Sequence, residues 1–270
     1  MIRTDKNTGI IYRQWDRPDP EAAFLLVHGL GAHAGRWRFL ADFFLKNGIS
    51  SYALELRGFG ETEGIKGHID YFDTYFEDIR ALRSIIAREN PGKKIYLVGE
   101  SLGALISFLT VAEEDNIFNG LICLAPAFKA RPAVSAIKYL KIAWSVAFDP
   151  KKHFKMPFNS AMCTRDEEYR KIMDADDREH RVATARFLFK MITAQTIASF
   201  EKGKIDIPSL FLLAGKDKLV VNSVTKRMFN GLQAEDKTII EYPEMFHALS
   251  IDLGKEQVFK DILKWVQGKS

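Results

Sequence analysis

The chain has 270 residues, of which 47% are apolar and 27% charged, and its formal net charge is +4 at pH 7. This composition is ordinary for a globular protein with one large α/β domain, or with one domain that carries an insertion. No Lys/Arg block is long enough to predict nucleic-acid binding, no apolar run approaches the ~18 residues of a membrane span, and the N-terminus lacks the apolar stretch of a signal peptide.

Strand and helix patterns alternate along the first 126 residues. Apolar runs predict strands at 10–15, 22–27, 49–54, 94–98 and 118–125, and helical periodicity predicts helices at 37–45, 71–90 and 102–112. The alternation returns near the C-terminus, with strands at 209–215 and 237–242 and helices at 222–232 and 257–266. Strands that alternate with helices predict an α/β fold with a mostly parallel sheet and helices on both faces.

The alternation is lost between residues 127 and 203. An ordinary connection between a strand and the next unit of the fold needs far fewer residues. We therefore expect an α/β core formed by residues 1–126 and 204–270, and an inserted cap, or lid, formed by residues 127–203.

Ser101 lies in a Gly-Glu-Ser-Leu-Gly sequence between a predicted strand and a predicted helix. A G-x-S-x-G turn in this position holds its serine in a strained, exposed conformation at the top of a sheet. Glycine is expected at 99 and 103 because the turn is too tight for a Cβ on either side. The pattern also arises by chance, so the alternative is a buried serine on an ordinary turn.

An acid and a base follow the two C-terminal strands. Asp217 comes after the first strand and His247 after the second, so both fall at the carboxyl edge of the predicted sheet, where ligands bind. The chain order Ser, Asp, His is the one used on this architecture. Of the six histidines, only His247 lies beyond the acid. The rival acids Asp206 and Asp236 precede their strands and are expected at the opposite edge.

Together these residue types can perform nucleophilic catalysis. A serine hydroxyl is a poor nucleophile at neutral pH, so a neutral imidazole must accept its proton as it attacks. Asp217 would hold His247 in the required tautomer and stabilise the imidazolium. The N–H groups of Leu102 and of Leu30, in the loop at 28–31, would stabilise the oxyanion of the intermediate. Taken alone, that loop could equally be a simple turn at the end of a strand.

Five motifs occur in order along the chain: HGLGAHAGRW at 28–37, LRGFGETEG at 56–64, GESLGA at 99–104, LAGKDKLV at 213–220 and EMFHAL at 244–249. This combination resembles the α/β-hydrolase branch that contains monoacylglycerol lipases and lysophospholipases, also described as serine aminopeptidase-like (S33) hydrolases. The resemblance covers nearly the whole chain. It implies the α/β-hydrolase fold with a mobile cap, the triad of Ser101, Asp217 and His247, and an oxyanion hole at Leu30 and Leu102.

The resemblance also bears on substrate recognition. It places Arg36 behind the oxyanion loop. Monoglyceride lipases of the family usually carry an acidic residue where this chain has Ala32, often a histidine where it has Glu100, and a polar residue that holds glycerol near Met173. These differences concern the headgroup and leave the triad intact. The residues expected to contact the substrate are Arg36, Glu100, Met173, Phe187 and Val220.

The predicted cap is rich in large apolar side chains. They are Phe128, Val134, Ile137, Leu140, Trp144, Val146, Phe148, Phe154, Met156, Phe158, Val182, Phe187, Leu188, Phe189, Met191 and Ile192. Such residues either pack the cap onto the core or line a tunnel for an acyl chain above Ser101. The charged stretch at 165–181 is expected to be a solvated face, and an exposed apolar rim could rest on a membrane or micelle.

The expected activity is hydrolysis of a monoacyl lipid or related carboxylic ester through an acyl-enzyme, with no metal or cofactor and no nucleic-acid partner. Cys123 and Cys163 lack C-x-x-C spacing, so we expect no disulfide or metal framework, and a reducing, cytoplasmic compartment. One alternative is a peptidase, which needs an acidic clamp for a free amino terminus. The others are an acyltransferase, which excludes water, and a non-catalytic binding protein, which would normally have lost a triad member.

Overall fold

A computed structural model describes residues 1–113, 117–131 and 136–269. The described residues form one eight-stranded sheet and a separate two-stranded sheet, with helices on both faces of the larger one. Val134, one of the apolar residues of the predicted cap, lies outside the described residues.

Ten strands follow one another along the described residues. They are β1 (Ile2–Thr4), β2 (Ile11–Trp15), β3 (Ala22–Val27), β4 (Ile49–Leu54), β5 (Lys94–Glu100), β6 (Gly120–Leu124), β7 (His153–Lys155), β8 (Val182–Thr184), β9 (Ser209–Ala214) and β10 (Lys237–Tyr242). The larger sheet has the order β1-β2-β4-β3-β5-β6-β9-β10. Its first two pairings are antiparallel and the remaining five are parallel. The carboxyl ends of β3, β5, β6, β9 and β10 therefore lie at one edge.

The helices of the described residues also follow in chain order. They are α1 (Arg38–Lys46), α2 (Thr74–Glu89), α3 (Leu102–Glu113), α4 (Ala136–Phe148), α5 (Ser160–Cys163), α6 (Glu167–Ala175), α7 (Ala185–Glu201), α8 (Asn222–Asn230) and α9 (Lys255–Gln267), with short 3₁₀ turns at Ala34–Trp37 and Lys202–Lys204. Among the described residues, no helical segment combines the length and the hydropathy that a membrane span requires.

The central strands are buried on both faces. Every residue of β3, β4 and β9 is buried. One face of the sheet packs against α1 and α9, where the ring centroids of Phe24 and Phe44 lie 4.7 Å apart. The other face packs against α2 and α3. Burial on both sides is typical of parallel strands, and the predicted α/β architecture with a mostly parallel sheet is confirmed.

Four strands, β2, β5, β6 and β9, differ at their ends from the predicted bounds. β5 continues past residue 98 because Gly99 and Glu100 still pair with Cys123 and Leu124 of β6. β1 was not predicted, because its three residues are exposed and show no apolar alternation. Its backbone pairing with β2 holds it in the sheet.

The chain between β6 and β9 forms structure outside the larger sheet. It contributes α4 to α7 and the antiparallel pair of β7 and β8. α4 packs against α7, and α7 packs against α3 of the core. This segment is therefore placed over one side of the α/β layers rather than within them.

Candidate active site

Ser101 occupies the turn between β5 and α3. Its backbone φ is +57°, in the left-handed region that residues with a Cβ rarely adopt. A Cβ at Gly99 would lie 2.5 Å from the carbonyl of Gly103, and a Cβ at Gly103 would lie 2.0 Å from the carbonyl oxygen of Val27. The two glycines are therefore required by the close approach of α3 to β5 and β3.

The side chains of Ser101, His247 and Asp217 form a continuous series of hydrogen bonds at the carboxyl edge of the sheet. Oγ of Ser101 lies 2.8 Å from Nε2 of His247, and Nδ1 of His247 lies 2.7 Å from Oδ2 of Asp217. The rival acids Asp206 and Asp236 precede β9 and β10 and lie at the opposite edge. The structure thus brings together the three residues selected from the sequence.

The surroundings of Asp217 and His247 set their ionisation. Burial favours a neutral Asp217, but the His247 ring and the N–H groups of Val220 and Leu219, which donate to Oδ1 at 2.9 and 2.7 Å, lower the pKa of the carboxyl below its usual range. Burial likewise opposes protonation of His247, but the Asp217 carboxylate and, to a smaller extent, Glu100 raise the pKa of the ring above 6.5. An imidazolium formed at this position is therefore stabilised.

The loop after β3 lies against Ser101. A Cβ on Gly29 would be 3.3 Å from the Cβ of Ser101. The N–H groups of Leu30, in this loop, and of Leu102, the first residue of α3, enter no hydrogen bond among the described residues, and both residues line the cavity at the serine. Two backbone donors are thus available where an oxyanion would form.

Arg36, at the end of this loop, is held by a residue of the inserted segment. Its Nε and Nη2 donate to the two carboxylate oxygens of Glu179, each at 2.6 Å. Both side chains are buried, with exposures of 10% and 5%. Glu179 was missed in the sequence because it lies in the stretch 165–181, which was expected to be solvated. That expectation is wrong for Glu179, because the Arg36 guanidinium compensates its charge in a buried site.

Two further contacts join the same loop to the inserted segment. The His180 N–H donates to the carbonyl oxygen of Gly31 at 2.9 Å. The buried His33 ring places Nε2 3.2 Å from Oδ2 of Asp176. Burial, with the nearby charge of Arg178, lowers the pKa of His33 to about 4, so the ring is neutral at neutral pH. The loop after β3 therefore makes contacts with the inserted segment as well as with the core.

Glu100, the residue before Ser101, connects the serine turn to the loop that carries His247. Its Oε1 accepts a hydrogen bond from the Ser250 N–H at 3.0 Å, and its Oε2 accepts one from the Ser250 hydroxyl at 2.9 Å. Burial raises the pKa of the carboxyl, although the bonds from Ser250 oppose this shift. Glu100 thus clamps the His247 loop and lies near enough to influence its charge.

A cavity of about 140 Å³ opens beside Ser101 and His247. Three of the expected substrate contacts line it: Arg36, Glu100 and Val220. Much of its apolar wall comes from the inserted segment, through Phe154, Met156, Phe158, Leu188, Met191 and Ile192. These side chains offer an apolar surface next to the reactive hydroxyl.

The other two expected substrate contacts, Met173 and Phe187, lie elsewhere, so the prediction that they line the site is wrong. Met173 is buried with Cys163 and Ile251 in a small separate apolar cluster. Phe187 is fully buried, with its ring centroid 5.5 Å from that of Phe59. Neither side chain lines the cavity. Met173 was selected because the family resemblance places a glycerol-holding residue near it, and Phe187 because it is one of the apolar residues of the predicted cap. Neither basis distinguishes a residue that faces a cavity from one that packs against the core.

Among the described residues, no group of three His, Cys, Asp or Glu side chains is placed to hold a metal ion. Cys123 and Cys163 are both buried and unpaired. Burial raises the pKa of both thiols, that of Cys163 to about 11. Both thiols are therefore protonated at neutral pH.

A mostly parallel sheet with its reactive groups at the carboxyl edge defines the class, and the protein has the α/β-hydrolase fold. The solved structure of a monoacylglycerol lipase from Paleococcus ferrophilus is similar, with a TM-score of 0.87, 22% identity and coverage of 97% of this chain and 99% of that one. The chain belongs to the family described as serine aminopeptidase, S33 (Hydrolase_4), whose model matches residues 18–254. The resemblance inferred from the five motifs is confirmed.

Curated relatives cover most of the chain at low identity. Human monoglyceride lipase is 25% identical over 256 residues, which are 93% of this chain and 84% of that protein. Phospholipase YtpA of Bacillus subtilis is 25% identical over 253 residues, which are 91% of this chain and 95% of that protein. The similarity thus extends across the core and the inserted segment alike.

Proposed function

We propose that the protein is a serine ester hydrolase that cleaves monoacyl lipids or related carboxylic esters through an acyl-enzyme. The observation that carries this proposal is the hydrogen-bonded series from Ser101 through His247 to Asp217 beside a mostly apolar cavity. A nucleophile, its base and a surface for an acyl chain therefore occur in one place.

In the first half of the reaction, Oγ of Ser101 attacks the ester carbonyl while Nε2 of His247 accepts its proton. The carbonyl oxygen becomes an oxyanion, to which the N–H groups of Leu30 and Leu102 donate. Asp217 stabilises the imidazolium through Nδ1. The bond from the carbonyl carbon to the alcohol oxygen then breaks, the alcohol leaves with the proton from His247, and an acyl ester of Ser101 remains.

In the second half, water replaces the alcohol. His247 accepts a proton from this water as its oxygen attacks the acyl carbonyl, and the same two N–H groups stabilise the second oxyanion. The bond to Oγ breaks, Ser101 regains the proton from His247, and the fatty acid is released. Each step uses groups of this chain and water alone.

The relatives support an acyl lipid as the substrate. The named activities of the human and B. subtilis proteins are those of a monoglyceride lipase and a phospholipase. Both names describe cleavage of lipids that carry acyl esters, and they differ in the headgroup. We therefore propose that the acyl ester is the reacting group and that the residues around the cavity determine which headgroup is accepted.

A peptidase is the alternative that the family description raises. Recognition of a free amino terminus needs an acid that is available to an ammonium group. Among the described residues of the cavity wall, the one acid is Glu100, and both its oxygens accept hydrogen bonds from Ser250. This arrangement favours the ester hydrolase.

We also propose that residues 127–203 act as a cap that contacts lipid surfaces transiently. Ile137, Leu140, Trp144 and Phe148 recur at helical spacing on α4 and are between 67% and 70% exposed. A row of exposed apolar side chains on one helix face is suited to a membrane or micelle from which a lipid is taken up.

A cytoplasmic location is part of the same proposal. It is supported by the two cysteines, which are buried and unpaired, as is usual in a reducing compartment. Fractionation of cells that express the tagged chain, with activity followed in each fraction, is the corresponding measurement.

The decisive experiment is a hydrolysis panel on the purified protein: monoacylglycerols, lysophospholipids, p-nitrophenyl esters of several chain lengths, and an aminoacyl anilide. We expect turnover of the acyl esters and none of the anilide, and we expect Ser101→Ala to abolish ester turnover while the thermal unfolding curve is retained. Turnover by Ser101→Ala would refute the mechanism. A new ester formed when an alcohol acceptor is added, without release of acid, would identify an acyltransferase.

A further inference from the structure

Besides the buried Arg36, three cationic side chains line the cavity that contains Ser101. Lys129, Arg131 and Lys155 are all exposed, so they lie where the cavity meets solvent. Among the described residues, none of the three forms an ion pair with a carboxylate. The rim of a mostly apolar cavity therefore carries uncompensated positive charge.

Two of these cations lie on a backbone segment that is fixed beside the triad. The N–H of Arg131 donates to the carbonyl oxygen of Leu219 at 2.7 Å, and the carbonyl oxygen of Lys129 accepts from the N–H of Val221 at 3.0 Å. Leu219 and Val221 belong to the loop that follows Asp217. The backbone of both residues is thus fixed relative to the loop that follows Asp217.

The remaining charges of the cavity wall are already matched. Arg36 is paired with Glu179, and the carboxylate of Glu100 accepts both hydrogen bonds that Ser250 offers. Glu100 is also buried next to Ser101, whereas the three cations are exposed. An anion at the rim would therefore meet free cations and no competing free carboxylate among the described lining residues.

From this juxtaposition we propose that Lys129, Arg131 and Lys155 form a subsite for an anionic group on the leaving alcohol. The favoured substrate is then a monoacyl lipid whose headgroup carries a phosphate, in preference to one with neutral glycerol. This inference rests on the proposed ester hydrolysis at Ser101. The apolar wall accepts the acyl chain, and an ionised phosphate stays at the rim because its burial among apolar side chains is very unfavourable.

The chemistry of the three side chains fits a phosphate. A guanidinium binds two phosphate oxygens at once, and an ammonium group supplies a compact charge on a flexible stem. Exposed charge pairs are individually weak, so each cation is expected to change kcat/KM for the anionic substrate by about two- to fivefold, and the three together by roughly tenfold or more.

The test compares two substrates with the same acyl chain, monoacylglycerol and monoacylglycerol phosphate, both below their critical micelle concentrations. The variants are Lys129→Gln, Arg131→Gln and Lys155→Gln, singly and as a triple. The matched control is the triple Lys46→Gln, Arg88→Gln and Lys260→Gln, which removes the same charge from exposed positions outside the cavity wall. The readout is the ratio of kcat/KM for the phosphate ester to kcat/KM for the neutral ester, at low and high ionic strength.

We expect the wild-type ratio to exceed one, to fall as salt is added, and to fall about tenfold or more in the rim triple while the control triple retains it. A ratio that the rim triple does not change, or that both triples lower equally, overturns the proposal. Failure of the underlying function looks different, because the wild type would then hydrolyse neither lipid.

Two further measurements distinguish a phosphate subsite from other causes of the change in the kcat/KM ratio. Inorganic phosphate should compete with the phosphate ester weakly in the wild type and not measurably in the rim triple, as expected when the acyl chain provides most of the affinity. If the rim triple loses binding to vesicles of anionic lipid but keeps the wild-type ratio for dissolved substrates, the cations serve a membrane surface and the subsite is refuted.

Discussion

The α/β core and the inserted segment, the chain between β6 and β9, differ in the burial of their large apolar side chains. In the core, β3, β4 and β9 are buried throughout, and the helices close over both faces of the sheet. In the inserted segment, α4 alone leaves four large apolar side chains exposed: Ile137, Leu140, Trp144 and Phe148. The core therefore buries its large apolar side chains, whereas the inserted segment leaves several of them on the surface.

The two regions contribute different parts of the candidate site. The hydroxyl, the imidazole and the carboxylate all follow strands of the core, and short hydrogen bonds connect them. Much of the apolar wall of the cavity comes from the inserted segment. We therefore expect substitutions in the core to change kcat, and substitutions in the inserted segment to change substrate capture, except where the two regions are joined.

The largest effect is expected from Asp217→Asn, in the core. The amide retains the shape of the side chain but cannot stabilise an imidazolium, and its NH₂ group favours the wrong tautomer of His247. In a serine protease, the corresponding change lowers kcat about 10⁴-fold, and a loss of that order is expected for p-nitrophenyl ester hydrolysis. Asp206→Asn, at the opposite edge of the sheet, is the control and should keep the wild-type rate. If the Asp217→Asn variant retained more than a tenth of the wild-type kcat, the catalytic role assigned to Asp217 would be refuted.

The next largest effect is expected at the junction of the two regions, the ion pair between Arg36 and Glu179. There, a substitution in the inserted segment should change kcat as well. Glu179→Gln leaves the buried Arg36 guanidinium without a carboxylate, which typically costs about 3–5 kcal/mol of stability when a buried pair is broken. The oxyanion loop is also released, and a misplacement of about 1 Å near the chemistry lowers turnover roughly 10²-fold. We expect both the melting temperature and kcat to fall, although Glu179 belongs to the inserted segment.

The control for this variant is Glu168→Gln in the same segment. Glu168 pairs with Lys171, and their side chains are 81% and 73% exposed, so loss of this pair is expected to cost less than about 1 kcal/mol. If Glu179→Gln behaves like Glu168→Gln, the two regions are independent and the junction has no catalytic role.

The core was largely predictable from the sequence because its signals are local. The bounds of β3, β4 and β10 follow directly from apolar runs and turn residues. The order of Ser101, Asp217 and His247, each after a strand, was sufficient to select them, since the carboxyl ends of parallel strands meet at one edge.

The inserted segment was less predictable because its signals are not local. Nothing in the spacing of the chain indicates that Glu179 meets Arg36, which lies far away in sequence. Met173 and Phe187 have the apolar character of cavity residues, but the choice between cavity and core depends on the packing of whole helices. In the structure, neither side chain lines the cavity beside Ser101.

A smaller effect, confined to the pH dependence, is expected from Glu100→Gln. The pKa of His247 is raised above 6.5, and catalysis needs the neutral ring, so kcat/KM should rise with pH through a value above 6.5. Glu100 contributes to this shift, so its removal lowers the pKa of His247 and moves the acid limb of the profile to lower pH. The amide of glutamine can still accept from the Ser250 N–H, which preserves the clamp.

Ser250→Ala is the matched control, because it removes one hydrogen bond and retains the carboxyl group of Glu100. We expect a lower rate with the limb less displaced than in Glu100→Gln. If Glu100→Gln instead lowers kcat/KM equally at every pH and leaves the acid limb of the profile unmoved, Glu100 does not raise the pKa of His247. Its role would then be limited to the hydrogen bonds that it accepts from Ser250.

The smallest effect on chemistry is expected at the outer surface of the inserted segment. Trp144 and Phe148 are 68% and 69% exposed, with ring centroids 4.3 Å apart, so replacing both with serine should change stability by no more than about 0.5 kcal/mol per site. Hydrolysis of a dissolved short ester should not change. Binding to phospholipid vesicles should weaken by about 1 kcal/mol or more per ring, measured by co-sedimentation, because apolar area that enters the lipid is lost. Vesicle binding equal to that of the wild type would mean that this exposed face does not contact lipid. The contribution of the inserted segment would then be limited to the apolar wall of the cavity.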